Sequence, residues 1–270
     1  MISTTIAAAL MLVAQAQEPA GADEGWKPLF NGRDLTGWYT FLQVHGKDKD
    51  PDHVITIEDG MIRLYKNAEH GSKVVMGYIG TNDEYGDYHF RFKYRWGKKQ
   101  FEPRLKLKRD AGLYYHILGK DAVWPRSLQF QVQQTDVGDL IALDQFQVDT
   151  WTDPKTLTAE IPTFMPADRG GEVRVMGGKG IAYQGRLPGP IEVEGWNTAE
   201  IIVSGDSTTH ILNGTVVNRA VKVRLVEDPS KPGESRPITR GRIALEIEAA
   251  EVDFRDVEIR SLPAATSAKP

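Results

Sequence analysis

The stretch YHFRFKYRW (residues 88–96) alternates without a break. Tyr88, Phe90, Phe92, Tyr94 and Trp96 are aromatic, while His89, Arg91, Lys93 and Arg95 are polar or basic. A period of two puts the aromatics on one face of a β-strand and the polar residues on the other. The pattern recurs along the chain. In AGLYYHIL (111–118), Leu113, Tyr115 and Ile117 alternate with Tyr114 and His116. In SLQFQVQQT (127–135), Leu128, Phe130 and Val132 alternate with Gln129, Gln131 and Gln133. Residues 199–212 predict a hairpin turning at Gly205-Asp206, and Asn213-Gly214 is a tight-turn signal ahead of TVVNRA. The last two strands fall at 242–249 and 251–261; the second needs a bulge near Arg255-Asp256 to keep Val257 and Ile259 on the face of Val252 and Phe254. Residues 164–190 are rich in Gly and Pro and read as a long excursion between strands. No stretch sustains a helical period. The fold class is therefore all-β, a two-sheet sandwich or jelly roll whose sheets pack through their apolar faces and leave one polar face as a groove.

The chain has 270 residues, 40% hydrophobic and 26% charged, with a net charge of −4. That balance argues against a nucleic-acid partner, which selects for a basic surface. KYRWGKKQ (93–100) reads as a solvated strand end. Residues 6–13 (IAAALMLV) form a short apolar run followed by Ala14-Gln15-Ala16, a small-x-small cleavage pattern. The run is far below the roughly 20 residues of a membrane span. It predicts a signal peptide over 1–16, a linker over 17–24, export to the periplasm or the exterior, and a mature chain starting near Gln17. No Lys or Arg precedes the run. The domain is expected over 25–262, with a disordered tail at 263–270. Cysteine is absent, which excludes disulfides and thiolate chemistry.

The sequence holds no phosphate loop, no GxSxG elbow and no metal-spaced histidine pair. A glycosidase needs two carboxylates flanking the scissile bond. The strand best placed to carry them has Gln129, Gln131 and Gln133 instead. Amides both donate and accept, which suits a neutral polyhydroxylated ligand; the bland reading is a polar ladder on a wet sheet.

The stretch GWKPLFNGRDLTGW (25–38) resembles the opening of the 3-keto-disaccharide hydrolases, also described as 3-keto-glucoside lyases and 2-hydroxyglucal hydratases. The resemblance continues through YGDYHFRFKYRWG (85–97), RDAGLYYHILG (109–119) and VWPRSLQFQVQQTDVGD (123–139). It resumes at WNTAEIIVSGDSTTHILNGTVVNRA (196–220) and ends with GRIALEIEAAEVDFRDVEIRSL (241–262). It implies a concanavalin-like lectin and glucanase jelly roll of two antiparallel sheets, exported, acting on a saccharide or glycoside.

The resemblance also implies a chemistry. A ketone at C3 of a sugar acidifies the C2 proton; a base removes it, the C1 substituent leaves by β-elimination, and water adds to the resulting 2-hydroxyglucal. One base and a donor or cation for the developing oxyanion suffice. A divalent metal ion could supply that electrophile, although none is evident from the sequence. Carried over by motif, His116 is the candidate base and Arg109 the enolate holder. Asp139 and Glu248 are carboxylates that act as base, metal ligand or orienter of His116. Tyr114, Gln129, Gln131, Gln133 and Trp196 are the candidate substrate-binding residues. Gln129 and Ala111 depart from the acid and the serine common in the family, and Glu246 from its usual glutamine. A non-catalytic carbohydrate-binding module of the same fold is the alternative.

Overall fold

A computed structural model describes residues 25–264, apart from 229 and 232. The expected signal peptide, the linker and most of the tail lie outside the described residues. Every strand pair named below is antiparallel. The back sheet has eleven strands. Its path runs Glu172–Gly177, Phe146–Thr152, Thr215–Val226, Ser207–Leu212, Asn197–Ser204, Tyr88–Gln100, Ala250–Ser261, Met61–Leu64 and Ile55–Glu58. Lys27–Pro28 and Ser235–Pro237 attach to it off this path. The front sheet has eight strands. Their order is Ile181–Gln184, Leu140–Leu143, Leu128–Gln133, Asp110–Ile117, Arg242–Ile247, Gly77–Thr81, Trp38–Leu42 and Gly46–Lys47. Helix among the described residues is limited to the 3-10 turns Pro154–Thr156 and Ala167–Arg169. The all-β sandwich of two antiparallel sheets is what the alternation predicts.

The apolar faces meet as expected. Phe90, Phe92 and Tyr94 from the back sheet share one buried cluster with Leu113, Tyr115, Leu128, Phe130 and Val132 from the front. Burying one such side chain is worth roughly 1.5–3 kcal/mol, so this shared core holds the sheets face to face. The hairpin turns at Gly205 and Asp206. The final strand is bulged, with its register shifting between Arg255 and Glu258 and Asp256 at φ 50°.

Two expectations need correction. Residues 164–190 are not one irregular excursion, because Glu172–Gly177 and Ile181–Gln184 form edge strands, one on each sheet. Their alternation is hidden because both are largely exposed; Val173, Val175 and Ile181 all face solvent. The second correction is at His116. Tyr114 pairs with Ala244 and Ile117 with Arg242, so Tyr115 and His116 together oppose Ile243. This is a β-bulge, and His116 takes φ 56° within it. Beyond it the side-chain parity flips, so Ile117 joins Tyr39, Tyr78 and Tyr114 in a second cluster rather than the main core.

Candidate functional site

The outer face of the front sheet carries a dense polar cluster. Even-numbered positions of Asp110–Ile117 up to the bulge, odd positions of Leu128–Gln133, and Glu246 with Glu248 converge there. Gln129 Nε2 donates to Glu246 Oε2 at 2.7 Å and to Gln131 Oε1 at 2.6 Å. Gln131 Nε2 donates to Asp110 Oδ1 at 2.8 Å, and Gln133 Nε2 to Asp110 Oδ2 at 2.5 Å. The Tyr114 hydroxyl donates to Glu246 Oε1. Arg104 pairs with Asp110 and reaches Glu248 Oε1 at 3.0 Å. Gly112 makes room for this network: a Cβ there would stand 2.3 Å from Glu246 Oε2 and 2.5 Å from Gln129 Nε2.

Three buried carboxyls thus face a single guanidinium, and electrostatics decides their protonation. Burial first, then the Glu248 charge, pushes Asp110 up to about 8, against the pull of Arg104. Burial also raises Glu246 well above the usual carboxylate range, helped by Glu248 and Asp110. Glu248 is raised by burial, with Arg104 and a hydrogen bond from Glu246 opposing the shift. Glu246 therefore keeps its proton and donates it towards Glu248. The cluster is a proton-sharing set at neutral pH, not a row of free anions.

A cavity of about 470 Å³ opens over this cluster, within the size range of small-molecule sites. Asp110, Gln129, Gln131, Gln133, Asp139, Glu248 and Arg104 form its polar floor. Asp139 accepts the Arg186 N–H at 2.7 Å through Oδ1, and burial pushes its carboxyl up to about 7. Among the described residues no protein group donates to Asp139 Oδ2.

The sequence-derived candidates separate under this geometry. Gln129, Gln131, Gln133, Asp139 and Glu248 come together, and Tyr114 lies beneath them holding Glu246. The three glutamines line one concave outer face, in which Gln129 and Gln131 are almost fully buried and Gln133 is partly exposed. His116 is absent from the site. It is fully buried at the bulge, neither ring nitrogen has a well-formed hydrogen bond, and burial pushes its pKa down to about 4. Arg109 is also elsewhere, stacked over Trp96 and donating to the Gly97 carbonyl at 2.7 Å, where it lines a separate cavity. Trp196 lies on the back sheet between the guanidinium groups of Arg95 and Arg255.

Four contributors were not anticipated. Asp110 shares the parity of Gly112 and Tyr114, so strand alternation could have found it. Arg104 lies in a loop with no periodic signal. Trp124 stands in the VWPRS motif, and Tyr183 in a strand whose pattern was hidden. Among the described residues no group of three or more His, Asp or Glu side chains is arranged to hold a metal ion. The donor set explains this, since Arg104 stands between Asp110 and Glu248 where a cation would sit.

Comparison with known proteins places this geometry in context. A 3-keto-alpha-glucoside-1,2-lyase-like domain matches residues 25–260. The chain belongs to that family. A comparison with curated proteins found no match. Among solved structures, it is similar to a protein from Parabacteroides distasonis provisionally named a glycosyl hydrolase. The two are 19% identical with a TM-score of 0.53, over 89% of this chain and 95% of that one. A second structure of the same provisional name and organism gives 18% identity and a TM-score of 0.50, over 88% of this chain and 99% of that one. At these identities the likeness bears on the fold alone. A carbohydrate-related function follows from the family.

Proposed function

We propose that the protein cleaves 3-keto-glycosides by elimination and hydration, with net hydrolysis. The observation that carries this reading is the floor itself, a run of uncharged amides tied to proton-sharing carboxyls. Asp110 is tied to Arg104 and the glutamines, and Glu246 to Tyr114 and Gln129, which leaves Asp139 with a free oxygen to act as a base and Glu248 in the same cavity to act as an acid. Asp139 is the base. Its free Oδ2 and a pKa near the working pH suit abstraction of the C2 proton. Arg104 and the amide of Gln131 hold the oxyanion that develops at C3, the role first carried to Arg109. The C1–O bond then breaks, and Glu248, supplied by Glu246, gives the departing oxygen a proton. Water adds across C1 and C2 of the 2-hydroxyglucal, hydroxyl to C1 and hydrogen to C2.

The same reading includes export to the periplasm or exterior, supported by the apolar run and Ala14-Gln15-Ala16. An intact Met1 on protein recovered from its native host would refute that part. The catalytic part is tested by incubating the protein with a 3-keto-glucoside and following aglycone release. Tight binding without release would instead favour the carbohydrate-binding module.

A further inference from the structure

The polar floor ends abruptly. Across the front sheet the register runs Tyr183 opposite Ile141, Ile141 opposite Gln129, and Gln129 opposite Tyr114. Two residues along these same two outer strands, on the same face, Ile181 pairs with Leu143. The lining therefore changes from amide and carboxyl to largely apolar within two strand spacings, roughly 10 Å. Of the ten large apolar side chains exposed among the described residues, four line this one cavity: Trp124, Ile161, Ile181 and Tyr183. Trp124 is 51% exposed and Ile181 54%. Glu160, the neighbour of Ile161 in the chain, lines the cavity with them.

We propose that this wall is the leaving-group subsite and that it takes an apolar, flat aglycone such as a phenol, in preference to a second sugar. The inference rests on the reading of the floor as the site of the reacting sugar. Two facts select the occupant. A second sugar presents several hydroxyls that need partners, and against them this wall offers only the Trp124 N–H, the Tyr183 hydroxyl and Glu160 among apolar Ile and Leu surface. The wall also runs without interruption into the polar floor, so its occupant must be joined to a polar group on one side. An aryl glycoside has that polarity, with a width of about one ring on each side of the glycosidic oxygen. Large apolar groups left exposed in a concave site are the ordinary signature of a ligand contact.

The test is a binding experiment that needs no turnover. Titration calorimetry with phenyl and methyl glucosides of both anomers, and with cellobiose, should show a phenyl glucoside binding at least about tenfold more tightly than its methyl counterpart or the disaccharide. The double variant Ile181→Ser, Tyr183→Ser lies on an exposed edge strand and should fold. It should abolish the phenyl advantage and leave methyl glucoside affinity within about twofold. Equal affinities for the three ligands, no binding of any of them, or a phenyl advantage that survives the double variant would each overturn the proposal. So would a concentration-dependent dimer that dissociates in the variant, because the wall would then be covered by a second copy. Failure of the elimination chemistry reads out separately, as absent aglycone release from 3-keto-glucosides with the phenyl preference intact.

Discussion

Gln129 and Glu246 meet across the single intervening strand Asp110–Ile117, the amide nitrogen 2.7 Å from the carboxyl Oε2, with both side chains almost without solvent contact. The pair works because glutamine donates where an acid would repel. Gln129→Glu would add a fourth buried carboxyl beside a single arginine. We expect a loss of about 1–3 kcal/mol of stability at pH 8, most of it regained at pH 5, where protonation turns the new acid into a donor. Urea midpoints at the two pH values check this, and equal losses at both would contradict the account.

The same cluster sets the alkaline limb of stability. Asp110 is raised from 3.8 to about 8, so between these values the folded chain holds a proton that the unfolded chain has lost. Its contribution is fully present below pH 4 and lost as pH rises through 8. Asp139, raised to about 7, acts with the same sign over a shorter window. Between pH 6.5 and 8, stability should fall by up to about 1.4 kcal/mol per pH unit for each proton difference. Asp110→Asn should flatten this limb. A wild-type protein whose stability rises from pH 6.5 to 8 would refute the assignment.

His116 works in the opposite direction. Burial lowers it from 6.5 to about 4, so its contribution is present above pH 6.5 and lost as pH falls through 4. The expected size is about 3 kcal/mol in full. Asn tolerates the positive φ of the bulge. His116→Asn should therefore weaken the acid limb and leave turnover of a 3-keto-glucoside within about threefold. A hundredfold loss of turnover with the fold intact would return His116 to the chemistry.

How much of this was legible in the sequence depended on where periodicity survives. Tyr88–Gln100 keeps its alternation because one face is packed on the core and the other carries ion pairs in water. The sandwich followed from such strands. The glutamine row was legible because Leu128, Phe130 and Val132 pack on the core while the amides between them face the cavity. His116 was misplaced because a one-residue bulge reverses parity, and nothing in AGLYYHIL marks it. Arg104 was invisible because a loop has no period, although it is the cation on which Asp110 and Glu248 depend. Ile181 and Tyr183 were lost among glycines, in an edge strand whose apolar residues face a cavity rather than the core.

The assignment of Asp139 as base yields the most discriminating prediction. Asp139→Asn keeps the shape of the side chain and an oxygen for the Arg186 N–H, so it should fold and bind like the wild type. It removes the basic oxygen, and turnover should fall by about 10²–10⁴-fold with little change in KM. In the wild type, kcat/KM should rise with pH through a midpoint near 7, the value to which burial pushes this carboxyl. That limb should vanish in the variant. Exchange of the C2 hydrogen with deuterated water should accompany turnover in the wild type and be lost in Asp139→Asn. Gln131→Ala should behave differently. It removes one of the two oxyanion donors and loosens Asp110, lowering kcat while the base stays in place, so the pH limb near 7 and residual C2 exchange should remain. If Asp139→Asn retains exchange and turnover, then Glu248 abstracts the proton, Glu248→Gln should abolish both, and the roles of the two carboxyls would be reversed.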